Sequence, residues 1–354
     1  MKRLSKVRTT EAMLVDVLAK SMPGKVYNLA AGDPNLPVCA ALRRAYGEAA
    51  ADDTHNYASS AGLPELRKKL WPAADEVIIA NGAKQLIYMS LAAVSVPGDK
   101  VVIIGPCWAS YMRICDILGL KYTLLTGSAE NRYVPDLSDV VSAITPDTAA
   151  VLMNSPNNPT GVIYGREYVS EVLEVVRRCD SRLIMDEIYR CIVDAPFMSL
   201  RGEKDVIVID GFSKSLNITG WRLGYAIAEG DVISSMTAIQ SQMSGPPSTL
   251  IQKIAAAAYD DLEFSTFEDY RERIDILCEI PKFAAARPAG GFYFYVPIDE
   301  HWESSKALCE FLLREYSVAV TPGDDYGVGR TVRISVASEP ACSLRETLDA
   351  LRLI

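Results

Sequence analysis

The sequence predicts an α/β protein with a mainly parallel sheet covered by helices, followed by a smaller α+β domain. Beyond Pro97-Gly98-Asp99, apolar β-branched runs alternate with helical stretches, as in 100–104 followed by 109–119. These runs are continuously apolar, which is typical of parallel strands buried on both faces. After residue 290 the order becomes strand, helix, strand, strand, helix, and this change indicates the second, smaller unit.

Each element is predicted from its apolar spacing and from the turn residues that bound it. Helices are assigned where apolar residues recur every three to four positions, and strands where short β-branched or aromatic runs lie between turn signals. The predicted helices are 11–21, 38–51, a short one after Pro64, 83–94, 109–119, 168–179, 231–259 with a break at Gly245-Pro246-Pro247, 261–280, 306–316 and a C-terminal helix. The predicted strands are a brief one from Val26, then 77–80, 100–104, 121–125, 149–153, 181–185, 206–209, 290–296, 318–321 and 331–336.

Composition and charge argue against several classes of function. Of the 354 residues, 49% are hydrophobic and 23% charged, as in ordinary soluble globular proteins. The formal net charge is −9 and no Lys/Arg cluster is present, so a nucleic-acid partner is not expected. The N-terminal segment has no apolar signal region, and the longest apolar runs are too short to span a bilayer. We therefore predict a cytoplasmic protein with no membrane partner.

Cysteine and histidine usage argues against a metal site. The eight cysteines form no C-x-x-C pair, and the two histidines are His55 and His301. Neither a structural zinc site nor a disulfide framework is expected, and most of the cysteines are interpreted as reduced core residues.

Polar or aromatic side chains gather where several predicted strands end. In open parallel sheets, ligands bind outside the carboxyl ends of the strands. One of these ends also opens a helix, where free N–H groups and the helix dipole favour an anion. The sets are Asn81-Gly82, Pro106 to Trp108, Asn154 to Gly161, Asp186 to Tyr189 and Ser213-Lys214. Their common position predicts a single site at this edge of the sheet.

The segment Gly211–Gly224 contains Ser213-Lys214 directly after a buried strand. A lysine ammonium is costly to bury, so its pKa falls or its charge is removed, for example by an imine with an aldehyde. Arg222, flanked by glycines, offers a planar donor fork suited to a phosphate. Lysine, serine and arginine together suggest pyridoxal phosphate (PLP) held by a Schiff base and a phosphate cup. Taken alone, a Ser-Lys pair is more often a plain strand-to-loop turn with surface charge.

Other strand ends supply groups that such a cofactor needs. Asp186 could keep a pyridine nitrogen protonated, which makes the ring an electron sink, or could be a helix or turn cap. Tyr189 and Asn158 could donate hydrogen bonds to a phenolate oxygen, or be an interior aromatic and a turn residue. Trp108 could stack on a flat ring, although core packing is the commoner role of tryptophan.

Two residues outside these sets are candidates for substrate binding. Arg333 is an isolated cation in an apolar strand, so it needs an anion; a bidentate carboxylate and a structural ion pair are the alternatives. Gly32, in a Gly/Pro-rich loop, either lets the backbone approach a ligand closely or forms a plain turn.

Four motifs occur together in the order found in one family. They are Asn154-Ser-Pro-Asn-Asn158-Pro-Thr-Gly161, Asp186-Glu-Ile-Tyr189, Ser213-Lys214 with Gly220-Trp-Arg222-Leu-Gly224, and Arg333-Ile-Ser. With these motifs the sequence resembles the class I/II aminotransferases of PLP fold type I, from about Gly32 to the C-terminus. The resemblance implies a large PLP-binding domain over 33–268, with a mixed, mainly parallel seven-stranded sheet between helices. The smaller α+β domain would comprise 269–354 and the N-terminal segment 1–32.

The resemblance also implies roles for individual residues. Lys214 would form the Schiff base with PLP and move the substrate proton. Asp186 would pair with the pyridine nitrogen of the ring. Asn158 and Tyr189 would donate hydrogen bonds to the ring oxygen, and Trp108 would stack on the ring. The phosphate would be bound by Ser213, Arg222 and the helix start at Gly82, Ala83 and Lys84. Tyr57 would reach the phosphate of the neighbouring subunit, which implies a homodimer. Arg333 and the backbone at Gly32 would bind the substrate carboxylate, with Trp108, Asn158 and Lys84 also near the substrate.

The substrate is predicted from a narrower resemblance. Two segments resemble the prokaryotic-type aspartate aminotransferases, namely Pro106-Cys-Trp108-Ala-Ser-Tyr111 and Gly82-Ala-Lys84-Gln. In those enzymes the lysine that matches Lys84 lies close to the distal carboxylate of the substrate. A threonine near the N-terminus lies there too, and Thr10 is the nearest candidate in this sequence. We therefore expect an L-amino acid, aspartate first, and a 2-oxo acid, 2-oxoglutarate first. The alternatives are aromatic or other amino acids, a lyase or decarboxylase of the same fold, and a non-catalytic PLP-binding regulator. Between Leu66 and Val77 the chain is shorter than the family pattern, although no named site residue is lost.

Overall fold

A computed structural model of the chain describes residues 8–49 and 56–354. The helices are α1 Glu11–Ser21, α2 Ala40–Ala49, α3 Pro64–Leu70, α4 Ala83–Val94, α5 Ser110–Leu118, α6 Leu137–Ala143, α7 Arg166–Arg178, α8 Phe212–Ser215, α9 Gly230–Met243, α10 Thr249–Ala258, α11 Glu268–Cys278, α12 Pro281–Ala285, α13 Ser305–Tyr316 and α14 Ala341–Leu351. The strands are β1 Tyr27–Asn28, β2 Val77–Ala80, β3 Lys100–Ile104, β4 Lys121–Leu125, β5 Thr148–Asn154, β6 Arg182–Asp186, β7 Val206–Gly211, β8 Gly224–Ile227, β9 Tyr293–Pro297, β10 Val318–Ala319, β11 Thr321–Pro322 and β12 Thr331–Ser335.

The central sheet has seven strands in the order β2-β8-β7-β6-β5-β3-β4. Strands β3 to β7 run parallel to one another, whereas β8 is antiparallel to both β2 and β7. The mixed, mainly parallel sheet predicted from the sequence is therefore confirmed. Strand β8 is not among the strands predicted from the sequence. It has only four residues and directly follows the glycine-rich loop, so its apolar pattern is too short to indicate a strand.

Helices cover both faces of this sheet, and the strand residues alternate between the two layers. In β3, Val101 and Ile103 pack with α4 and α5 residues, whereas Val102 and Ile104 pack with α7 residues. All four side chains are fully buried. Burial on both faces explains why the parallel strands are continuously apolar.

The smaller unit is built around two further sheets. Strand β1 pairs in parallel with β10, and β9, β12 and β11 form an antiparallel sheet. The predicted strand 318–321 is thus two short strands in different sheets, because the chain changes partner at Val320. The predicted helix 261–280 is also shorter, since α11 starts at Glu268. The end of the predicted helix 38–51 lies outside the described residues, and the domain boundaries at 32/33 and 268/269 stay a prediction.

Within residues 8–49 and 56–354, no helix is both long enough and apolar enough to cross a lipid bilayer. The longest of these helices, α9, has 14 residues.

A buried ion network surrounds Asp210 on β7, the strand that leads into the glycine-rich segment 211–224. The Asp210 carboxylate, with 4% of its side chain exposed, accepts hydrogen bonds from Arg190, Arg201 and the Tyr225 hydroxyl, the last at 2.7 Å. A carboxylate and two guanidinium groups hold one another's charges in a poorly solvated place. Removing one member of such a network destabilises the fold strongly, because the remaining buried charges are left without a partner.

We expect Asp210→Ala to lower the free energy of unfolding by about 3–5 kcal/mol, because two partly buried guanidinium groups would lose their counter-charge. Urea denaturation followed by circular dichroism measures this. The matched control is Asp349→Ala, which breaks only an exposed pair with Arg352 and should change stability by less than about 0.5 kcal/mol. Equal stability of the two variants would contradict the role given to Asp210.

Candidate active site

A cavity of about 350 Å³ lies at the carboxyl ends of the parallel strands. It extends from the central sheet to α1, β9 and β12. The cavity is lined by eleven of the residues predicted for the site, namely Gly32, Ala83, Lys84, Trp108, Asn158, Asp186, Tyr189, Ser213, Lys214, Arg222 and Arg333. Thr10 also lines it. The strand ends singled out in the sequence therefore meet in one place.

Lys214 enters the cavity from α8, which follows β7 directly. Its Nζ donates a hydrogen bond to the carbonyl oxygen of Gly32. Burial of the ammonium lowers the pKa of Lys214 to about 8, an effect that the negative charge of Asp33 partly opposes. A lysine with this pKa has a substantial neutral fraction near physiological pH, which makes it a nucleophile and a base.

Gly32 is required at its position because the backbone there runs against a tyrosine. A Cβ at residue 32 would lie 1.9 Å from the Tyr293 hydroxyl oxygen. Any side chain would therefore displace either the tyrosine or the carbonyl that Lys214 contacts. The close approach seen here is to a tyrosine, and the approach of the Gly32 backbone to a ligand stays a prediction.

Asp186 ends β6 and is almost fully buried. Its carboxylate accepts hydrogen bonds from the Tyr111 hydroxyl at 2.7 Å and from the backbone N–H of Ile188 at 3.1 Å. Desolvation raises the pKa of Asp186 to about 6, although both hydrogen bonds act to lower it. A cationic partner would stabilise the charged form of a carboxylate whose pKa burial has raised in this way.

The start of α4 and the segment after β7 meet at one corner of the cavity. Gly82, with φ +84°, precedes the helix, and a Cβ there would lie 2.7 Å from an Arg222 guanidinium nitrogen. Arg222 donates to the carbonyl oxygens of Thr219 and Asn81, at 2.9 and 3.0 Å, and lines the cavity with Ser213 and Ala83. A guanidinium, a hydroxyl and a helix N-terminus together suit a phosphate group.

Arg333 is a buried cation on the opposite side of the cavity, with 4% of its surface exposed. Its guanidinium donates to Asn158 Oδ1 at 3.1 Å and to the carbonyl oxygen of Ala30, and its Nε has no partner among the described residues. Within the described part of the chain no ion pair to Arg333 is formed. The structural ion pair considered from the sequence is therefore absent there, the guanidinium lines the cavity, and its binding of a carboxylate stays a prediction.

Aromatic side chains form the remaining walls. The hydroxyls of Tyr189 and Tyr293 lie 3.1 Å apart, and burial raises the pKa of Tyr189 well above its ordinary value. Lys84 Nζ lies 4.9 Å from the centroid of the Trp108 ring. Desolvation, and secondly the positive charge of Arg222, lowers the pKa of Lys84.

The structure adds residues that sequence reasoning missed, and two predicted residues, Gly82 and Tyr57, are not among those that line the cavity. Tyr293 and Thr219 line the cavity, and Tyr111 holds Asp186. The aromatic run 292–295 predicts a strand, but the sequence does not tell which of its side chains faces the cavity. Tyr57 is 97% exposed and does not line the cavity of its own chain.

A cavity at the strand ends of a mainly parallel sheet that brings together a lysine of lowered pKa, two arginines and a helix N-terminus has the groups that suit small anions. The family described as aminotransferase class I and II matches residues 24–351. The chain therefore belongs to this family, as the motifs indicated, and is an aminotransferase.

Individual relatives agree with this assignment. The aspartate aminotransferase of Thermotoga maritima is 29% identical over 371 residues, covering 99% of this chain and 97% of the relative. The aspartate/prephenate aminotransferase of Thermus thermophilus is 32% identical over 343 residues, covering 91% and 89%. Among solved structures, the Thermus thermophilus aspartate aminotransferase with maleate is similar with a TM-score of 0.92 at 29% identity, covering 99% of this chain and 98% of that one.

We expect Lys214 to titrate near pH 8 in the protein without cofactor, well below the pKa of a free lysine. Selective ¹³C-methylation and an NMR pH titration measure this. In Asp33→Asn the pKa of Lys214 should fall further, because a negative charge that favours the ammonium is removed. A Lys214 resonance that titrates above pH 10, or that moves upward in Asp33→Asn, would contradict this account of the site.

Proposed function

We propose that this aminotransferase uses PLP to move the amino group of L-aspartate to 2-oxoglutarate. The observation that carries the proposal is the position of Lys214, a lysine of lowered pKa that faces the same cavity as the buried Asp186 and the buried Arg333. These three groups supply an amine, a carboxylate and a guanidinium in a single space.

The cavity has the groups that PLP requires. Lys214 offers the amine for its aldehyde, and the corner formed by Ser213, Arg222 and the start of α4 suits its phosphate. Asp186 is a carboxylate destabilised by burial, and a protonated ring nitrogen would give it the cation that it lacks. Asn158 and Tyr189 would serve the ring oxygen, and Trp108 would lie against the ring.

Bound PLP would supply an electron sink for a carbanion and carry the amino group from one substrate to the other. The chain contributes binding, orientation and proton transfer. Arg333 would hold the substrate α-carboxylate, assisted by the backbone at Gly32. Lys214 Nζ, when neutral, would take the proton from Cα of the amino-acid substrate. When the 2-oxo acid reacts in its turn, Lys214 would return a proton to the Cα of the amino acid that forms. Asp186 would keep its charge next to the ring nitrogen, and the Tyr111 hydroxyl would hold that carboxylate in place.

The choice of a dicarboxylate substrate rests on the charge of the cavity and on the relatives. Lys84 and Thr10 line the cavity together, and Lys84 has no ion pair among the described residues. A second substrate carboxylate would provide its counter-charge. Relatives named for aspartate, and for aspartate and prephenate, support the same preference. Aromatic and other amino acids, and lyase or decarboxylase chemistry, are the competing outcomes.

Several wider features belong to this proposal. The exposed Tyr57 would reach the phosphate bound by a second copy of the chain, so the working enzyme would be a homodimer. The catalytic domain would span 33–268, and the small domain would combine 269–354 with 1–32. We place the enzyme in the cytoplasm, with no nucleic-acid or membrane partner.

We expect Lys214→Ala to abolish the visible absorbance band that PLP acquires on covalent attachment to a lysine, because the only change is loss of that amine. The matched control is Lys84→Ala, which removes another cavity-lining lysine and should keep the band. Both variants are measured by absorbance after addition of PLP and dialysis. An unchanged band in Lys214→Ala would contradict the assignment of Lys214 as the residue that binds PLP covalently.

A panel of single amino acids tests the reaction and its substrate. In the absence of an oxo acid, aspartate should convert the enzyme stoichiometrically to the pyridoxamine form, and an acidic 2-oxo acid should reverse this. Aromatic, aliphatic and basic amino acids should do so at least about tenfold more slowly, since they lack the charge that Lys84 would pair with. Pyruvate and ammonia from a β-substituted amino acid, without that conversion, would instead indicate a lyase.

A further inference from the structure

A second cavity, of about 200 Å³, lies away from the active site. It is formed by the loop after β4, by α12 and by β9, and none of its lining residues lines the active-site cavity. The volume is far above the ~10–15 Å³ that one water molecule needs. One motif residue, Thr160, lines this second cavity, but the proposed reaction gives no role to this space.

One wall of this cavity is an arginine without an acidic partner. Arg132 is half-buried, and a guanidinium nitrogen donates to the carbonyl oxygens of Arg287 and Thr160, at 2.7 and 3.4 Å. In the described part of the chain Arg132 makes no ion pair, and burial alone lowers its pKa. Carbonyl oxygens orient this cation but do not neutralise it, so an anion beside it would be favoured.

The adjacent residue leaves a second polar group unused. Tyr133 is 5% exposed, its ring packs edge-on against Tyr295 at 5.0 Å between centroids, and its hydroxyl has no hydrogen-bond partner among the described residues. A buried hydroxyl without a partner destabilises the folded state, because it has lost its hydrogen bonds to water. A ligand oxygen at this place would restore one such hydrogen bond.

The rest of the wall combines one more cation with apolar surface. Lys282 lines the cavity while it contacts Asp299 and the carbonyl oxygen of Ile354. Alanines, Pro297 and the ring of Tyr295 form the apolar part. A negatively charged head would therefore face Arg132, and a compact apolar body would face these side chains.

We propose that this cavity is a binding site for a small carboxylate with an apolar body, held by the Arg132 guanidinium and the Tyr133 hydroxyl. Both of these residues belong to the loop after β4, whereas α12 contributes Lys282 and an alanine to the wall of the cavity. The site is independent of the reaction assigned to the first cavity, because its argument uses none of the active-site residues.

The probe for a test is 4-fluorobenzoate, with neutral 4-fluorobenzamide as its isosteric comparison. Equilibrium dialysis with ¹⁹F NMR detection is carried out on the full-length, PLP-loaded protein carrying Arg333→Ala, so that the active-site guanidinium no longer competes. We expect one saturable benzoate site per chain, with the amide bound at least about tenfold more weakly. No saturable binding, or equal binding of acid and amide, overturns the proposal.

Substitutions then locate the site. Adding Arg132→Ala should weaken benzoate binding at least about tenfold, whereas adding Arg178→Ala, an exposed arginine on α7, should leave it unchanged. Tyr133→Phe serves as a gentler variant should Arg132→Ala fail to fold, and it should weaken binding several-fold. Benzoate affinity that is unchanged in Tyr133→Phe or in folded Arg132→Ala places the probe elsewhere and refutes the site.

Discussion

The parallel register of β5, β6 and β7 is the constraint on which the active site depends. Asn154 pairs with Asp186 across β5 and β6, and Asp186 pairs with Ile209 across β6 and β7. These strands therefore end side by side, and the segments that follow them carry Asn158, Tyr189 and Lys214 into one cavity. A slip of one residue in β6 would turn the Asp186 side chain to the other face of the sheet.

Polar contacts at the strand ends then hold the loops in the required shape. The Asn154 side chain donates to the carbonyl oxygen of Asp186 at 2.9 Å and accepts from the backbone N–H of Asn158 at 2.7 Å. Asn158 in turn accepts from Arg333, which comes from the small three-stranded sheet. One chain of hydrogen bonds thus connects the central sheet with the smaller unit across the cavity. Pre-oriented groups of this kind lower the cost of arranging a substrate.

Charge in the cavity is opposite to the charge of the whole molecule. The chain carries a formal net charge of −9, yet Lys84, Lys214, Arg222 and Arg333 all line the active-site cavity. Burial makes the charges of Lys214 and Arg333 costly, which is visible in the lowered pKa of Lys214 and in the absence of a partner for Arg333 Nε among the described residues. An acidic protein can therefore bind anionic substrates, because local geometry rather than net charge decides what a buried site accepts.

Much of this protein follows from the sequence by itself. Apolar runs between turn residues determine the parallel strands, and the Ser213-Lys214, Asp186 and Arg333 motifs indicate the family and its chemistry, since each depends only on near neighbours in the chain. Tertiary structure alone decided the placement of Tyr293 against Gly32, the hold of Tyr111 on Asp186, and the antiparallel insertion of β8. It also decided that Arg132 and Tyr133 line a cavity with α12. These contacts join residues far apart in sequence, and their energies come from packing and desolvation that no local pattern records.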